Sequence, residues 1–261
     1  MTRVLLAPTP EIRAACDRID DAIGRLIAAV HQTNASYKDF GRYEADKEAV
    51  TLLLIALRSV EGVIELARHD LVLLPPAIMA ARGAFETSLK AAWLVDCDDP
   101  YDRERRWLQH LASEERVWLR LVGHIEKAGG DSEWPKKRAA DARAFREHVE
   151  KVFPQGYPAL PGLPSVPEMV PTLHDEPLYV AYVYMSQFIH GERVAAQHYA
   201  PRDKPRVDAV EPNDWSMPLR VSWLSLFRAG RKIIGRLHGE PDTFMSEVEE
   251  VEVRNALAMV Q

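Results

Sequence analysis

Apolar residues recur along most of this chain at steps of three and four, the spacing that places them on one face of an α-helix. The first such run follows Thr9-Pro10-Glu11, which reads as a helix start: a capping hydroxyl, proline at the first helical position, and an acid at the positive end of the dipole. Ile12, Ala15, Ile19, Ile23, Leu26 and Val30 then mark its buried face. A second run, from about Ala45 to Arg68, repeats the pattern through Val50, Leu53, Leu54, Leu57, Val60, Ile64 and Leu66. Pro75-Pro76 opens a third helix to about Val95. A fourth extends from about Tyr101 to Lys127 and stops at Gly129-Gly130. A fifth, strongly charged, covers about Ser132 to Phe153. The pattern predicts a sixth from about Leu178 to Tyr199. The seventh runs from about Leu219 to His238 and ends at Gly239-Glu240-Pro241.

The connections are marked by proline. Seven prolines fall between Pro154 and Pro177, a density that no helix interior or sheet centre tolerates, so 154–177 is expected to be a long ordered loop or flap. A polar connector with Pro201, Pro205 and Pro212 precedes the seventh helix. The acidic stretch Asp242 to Ala258 suggests an amphipathic helix, making 239–261 a surface segment. There is no alternating strand pattern of useful length, no Asn-Gly hairpin and no internal repeat. The expected fold is all-α: a single helical domain over 1–261, built as a bundle of six to eight mostly antiparallel helices.

Composition narrows the functional classes. With 261 residues, 47% of them hydrophobic, the chain can bury a sizeable core. A net charge of −6 excludes a strongly basic nucleic-acid wrapper but leaves room for a local basic patch. No run approaches the roughly 18 apolar residues of a membrane span. The opening Met1 to Ala7 is too short for a signal-peptide core, so no membrane association is expected. Cys16 and Cys97 form no disulfide or metal pattern, which suits a reducing cytoplasm. A Gly-rich phosphate loop, His-Glu-x-x-His, Cys-x-x-Cys and Gly-x-Ser-x-Gly are all missing, and no Glu-x-x-His pair offers a di-iron site. Neither a metal nor a cofactor is expected. The six tryptophans read as core or helix-packing residues.

Chemistry is concentrated on three helices. From Ala77 to Val95 the charged residues are Arg82, Glu86 and Lys90, four apart on one stripe. That stripe is either the solvent face of a core helix or a set of groups turned into a polar pocket. Leu178 to Gly191 carries no charge at all, which predicts a central helix. On it Tyr182, Ser186 and His190 share a face. Buried there, they would need partners, since an unpaired buried polar group costs about 1–3 kcal/mol. His190 is then either a satisfied structural histidine or an acid/base or anion-binding imidazole. The fourth helix adds Arg103, Arg106 and His110 on one face, with Arg105 nearby. A guanidinium turned inward there could pair with Glu86 or hold an anion bidentately.

These residues resemble a known pattern. Ala81-Arg82-Gly83-Ala84-Phe85-Glu86, Trp93-Leu94, Arg103 to Trp107, and Tyr182 through Ser186-Gln187-Phe188-Ile189-His190-Gly191 are similar in order and spacing to the bacterial DUF5677 family. The resemblance covers about Leu52 to His198. It implies a polar centre of Arg82, Glu86, Arg106, Ser186 and His190. The architecture is also similar to HEPN domains, helical modules of toxins and phage-defence ribonucleases. Active HEPN members carry an arginine, then four to six residues, then a histidine. That similarity implies metal-independent action on the ribose 2′-hydroxyl and scissile phosphate, often across a homodimer. Arg105/His110, Arg143/His148 and Arg193/His198 have such spacing, whereas His190 does not. If RNA is bound, the basic cluster around Arg143 and the pair Arg116/Arg120 are its expected phosphate contacts.

Two functional readings follow. In the favoured one the chain is a ligand-binding or regulatory module whose buried polar centre holds a small anionic ligand or locks the bundle. In the alternative it is a metal-independent endoribonuclease. His190 or His198 would then be acid/base, Arg82, Arg106 or Arg193 would stabilise phosphate, and Glu86 would orient them. Tyr182 and Arg103 are further binding candidates in either case. The proline-rich loop before the Ser186/His190 helix could cover the pocket.

Overall fold

A computed structural model describes residues 5–36, 42–153, 161–174, 176–199, 210–240, 244, 253 and 255, the side chains of residues 198 and 199 excepted. Among them the fold is an all-α helical bundle with no strand. The helices are α1 (Pro10–Ser36), α2 (Glu44–His69), α3 (Leu74–Val95), α4 (Pro100–Lys127) and α5 (Glu133–Glu150), then α6 (Val166–Met169), α7 (Glu176–Ile189), α8 (Arg193–Tyr199) and α9 (Ser216–Arg236). Their ends follow local chemistry. Thr9 Oγ1 accepts from the Ile12 N–H at 3.3 Å as α1 begins at Pro10. Pro75 and Pro76 occupy the first turn of α3. The Asp99 carboxylate accepts from the Tyr101 N–H at 2.7 Å to cap α4.

The core is organised around α3, which packs against α2 on one side and α9 on the other. Its contact faces are rich in small residues (Ala77, Ala81, Ala84, Ala91, Ala92), so neighbouring helices approach closely around Phe85 and Leu89. From α9 the fully buried Trp223 and Phe227 pack with tilted rings, centroids 5.4 Å apart. Trp215, just before α9, is also fully buried, and its indole N–H is satisfied by the Leu71 carbonyl at 2.9 Å. The helix α1 covers α2 and α9, while α5 lies along α4. Trp134, at 62% exposure, lies outside the core and takes the helix-packing role, its ring edge-on to Trp118 of α4 at 5.0 Å.

The structure departs from the pattern-based expectations in four places. The sixth predicted helix is two helices, α7 and α8. Gly191 takes a left-handed φ of +62°, and the Glu192 N–H turns back to the Gln187 carbonyl at 2.9 Å, a Schellman-type stop. Nor is α7 central: it buries Leu178, Met185 and Phe188, while Val180 is 71% exposed. The proline-rich segment contains α6 and a 3-10 turn over Val170–Leu173, with Pro167 and Pro171 in first turns where a missing N–H costs nothing. Residues 154–160 and 175 of that segment, and Pro201 and Pro205 of the next connector, lie outside the described residues. Lastly, the segment 239–261 is not wholly superficial. Phe244 and Val253 are buried, and Arg25 Nε donates to the Phe244 carbonyl at 2.8 Å. The rest of the predicted 242–258 helix lies outside the described residues, apart from residue 255. No helix among the described residues is long and apolar enough to cross a membrane.

Candidate functional site

The seam between α3 and α7 brings together part of the predicted polar centre. Arg82 Nε donates to Glu86 Oε1 at 2.9 Å, and its Nη2 donates to the Tyr182 hydroxyl at 3.3 Å. The guanidinium also lies over the Tyr182 ring, 5.0 Å from its centroid. Phe85 and Tyr179 flank that ring at 5.2 and 5.9 Å. Burial works against the charge on Arg82, but the Tyr182 hydroxyl and the Glu86 carboxylate outweigh it and hold the guanidinium above its ordinary value. Ser186 does not reach His190. Its hydroxyl donates back along α7 to the Tyr182 carbonyl at 2.8 Å. His190 follows the last residue of α7 and is exposed; among the described residues its side chain makes no hydrogen bond or ion pair. Arg193 is exposed in α8, and the side chain of His198 lies outside the described residues. Among the described residues, guanidinium, carboxylate and phenol therefore meet at this seam without an imidazole.

Two of the α4 arginines, Arg103 and Arg106, do structural work. Arg106 donates from Nη1 to the Trp93 carbonyl and lies over the Trp93 ring at 5.4 Å. Arg103 is buried: its Nε donates to Asp46 Oδ1 at 3.1 Å, and its Nη1 to the Cys97 and Asp98 carbonyls at 3.3 and 2.9 Å. It thereby fastens the α3–α4 corner to α2. Burial pushes the Asp46 carboxyl up, against the pull of Arg103, Arg236 and His238. Asp46 Oδ2 is buried without a hydrogen-bond partner.

That corner forms one wall of a cavity of about 420 Å³, lined by Val95, Asp96, Cys97, Asp98, Lys232, Gly235, Arg236 and His238. The opposite wall is the last turn of α9. Lys232 Nζ donates to Asp96 and, at 3.0 Å, to the Thr172 carbonyl; Arg236 Nη2 donates to Asp98 Oδ1 at 2.7 Å. His238 closes α9 in a left-handed conformation, φ 59°. Burial pushes the Cys97 thiol up, against the cations Arg106 and Arg103, which disfavours a thiolate nucleophile. Sequence reasoning missed this site. The available signal was Lys232 and Arg236 one helical turn apart just before a predicted helix end, with Asp96-x-Asp98 at another.

A second titratable group lies between α2 and α4. His110 Nδ1 is 3.6 Å from Glu48 Oε1. Burial holds the imidazole below its ordinary value, and Lys90 acts in the same sense. Burial raises Glu48, helped by Glu114 and Glu44. The basic cluster of α5, by contrast, is largely paired with acids. Arg143 and Arg146 contact Glu115 at 2.6 and 3.4 Å, Arg138 contacts Glu114 at 3.3 Å, and Lys136 contacts Glu126 at 2.9 Å. Among the described residues no group of three or more His, Cys, Asp or Glu side chains is arranged to hold a metal ion.

No family model, no curated protein and no solved structure matches this chain.

Proposed function

We propose that this protein is a non-catalytic helical binding module that holds a small polar molecule in the cavity between the α3–α4 corner and the end of α9. The observation that carries this reading is the charged, roughly 420 Å³ cavity, whose size falls within the ~300–1,000 Å³ range of small-ligand sites. Its walls are preorganised. Arg103 pins the corner from behind, and the left-handed His238 ends α9 abruptly. The Arg82–Glu86–Tyr182 cluster acts as a polar lock between α3 and α7 in this reading, and the resemblance to DUF5677 and HEPN-like proteins supplies an architectural parallel. Both cysteines are free, which agrees with a reducing cytoplasm. The test is a thermal-shift screen of small polar metabolites against the wild type and a Lys232→Ala/Arg236→Ala double variant. A stabilising compound should lose its effect in the variant. Equal stabilisation of both proteins would remove the cavity from consideration.

A second reading, the metal-independent endoribonuclease, has one observation in its favour. His110 Nδ1 lies 3.6 Å from Glu48 Oε1, faces the influence of Lys90, and follows Arg105 at the HEPN-type spacing. In that reading His110 rather than His190 is the general base and Glu48 orients it. RNA cleavage in the presence of a chelator should be lost in His110→Ala and retained in His190→Ala; no cleavage by the wild type removes this reading. A homodimer belongs to the same proposal, supported by the exposed, uncharged outer face of α7 at Val180, Val183 and Tyr184. Light scattering at several concentrations, with Val180→Lys as comparison, would show it.

A further inference from the structure

The charges around the cavity are sorted by wall. Asp96 and Asp98 come from the α3–α4 corner, whereas Lys232 and Arg236 come from the last turn of α9. Their formal charges cancel, and the two signs come from different walls and meet as ion pairs, Lys232 with Asp96 and Arg236 with Asp98 at 2.7 Å. A simple anion entering this space meets the two carboxylates, and a simple cation meets the ammonium and the guanidinium. A molecule carrying both charges meets a partner at each end. We propose that the ligand of this cavity is a small zwitterion with a carboxylate and an ammonium a few bonds apart, as in a free amino acid. Arg236 and Lys232 take the carboxylate, and Asp96 and Asp98 take the ammonium. The proposal rests on the cavity reading above and names its ligand class.

The existing ion pairs favour such an exchange. The Asp98 side chain is fully exposed, so its bond to Arg236 is held weakly and water can replace it. The guanidinium fork then offers two parallel N–H donors to a carboxylate, a stronger arrangement than its single bond to Asp98. Asp98, released, turns to the ammonium. Lys232 gives up Asp96 to the ammonium but keeps its 3.0 Å bond to the Thr172 carbonyl, and so stays aimed at the same place. The corner backbone does not have to reorganise, because Arg103 already grips the Cys97 and Asp98 carbonyls.

The experiment is calorimetric or NMR titration of the full chain with a panel of free L-amino acids, alongside acetate and methylammonium as the two half-ligands. At least one amino acid should bind ten-fold or more tightly than either half. Arg236→Gln and Asp98→Asn should each weaken it about ten-fold, with far-UV circular dichroism and melting temperature unchanged. Acetate binding as tightly as any amino acid, and indifferent to Asp98→Asn, overturns the zwitterion while leaving the cavity as an anion site. Methylammonium alone binding as tightly overturns it in the opposite sense. Silence from every amino acid and from both halves overturns the zwitterion and the cavity reading together.

Discussion

Arg103 and Asp46 show how a single side chain can serve the site without touching a ligand. Each is almost wholly removed from water, and the arginine spans α2, α4 and the corner that walls the cavity. Removing one partner leaves an uncompensated buried charge. Asp46→Ala should therefore destabilise the fold by about 3–5 kcal/mol in urea denaturation. Glu48 makes a prediction of the opposite sign. Its folded pKa is raised by burial and by Glu114 and Glu44 above the ordinary value near 4.5. The stability it contributes is complete below that value and is lost as pH rises through the raised one. Glu48→Gln should accordingly unfold at higher urea than the wild type at pH 7. The difference should vanish on acidification below the ordinary glutamate range. A gap that persists at low pH would mean that something other than the charge is responsible.

Among the elements, the breaks decide more than the helices do. The starts at Thr9-Pro10 and Pro75-Pro76 were legible because capping and proline chemistry is local. The pairing of Arg82 with Glu86 was legible for the same reason, four-residue spacing on one helix. The position of His190 was not. Periodicity places it on the face of Tyr182 and Ser186, but α7 ends at Ile189, just before it, as the chain turns through the left-handed Gly191. An uncharged helix also gives no sign of which face turns inward, so α7 read as central while α3 and α9 hold that place. The cavity was illegible because its walls come from residues about 140 positions apart, and no local signal links them. Two glycines test the breaks. Gly191→Ala has open space around its new methyl but must keep a left-handed φ, so a loss of about 1 kcal/mol is expected. At Gly239 the methyl would fall 2.5 Å from Thr33 Oγ1 and 2.7 Å from Ile234 Cγ2. Gly239→Ala should lower the melting temperature more than Gly191→Ala, and the reverse order would contradict the close approach of α1 to the end of α9.

Across the whole molecule, stability is distributed unevenly. The slab of α2, α3 and α9 carries most of the fully buried side chains, whereas α5 buries Pro135 and Ala139 and leans on α4 through ion pairs. Native-state hydrogen exchange should show α5 amides opening long before those of α3, and added salt should widen the gap by screening its exposed pairs. Uniform protection would refute this division. The return of the chain at Phe244 bears on the same slab. Its ring meets Phe227 at 5.4 Å and covers Gly230, on the helix whose final turn carries Lys232 and Arg236. A chain cut after Glu240 would lose that plug and leave a crater along the rear of α9. The cations at its front would then ride on a loosened rod, so shortening the tail should blunt ligand affinity although none of the described tail residues lines the cavity.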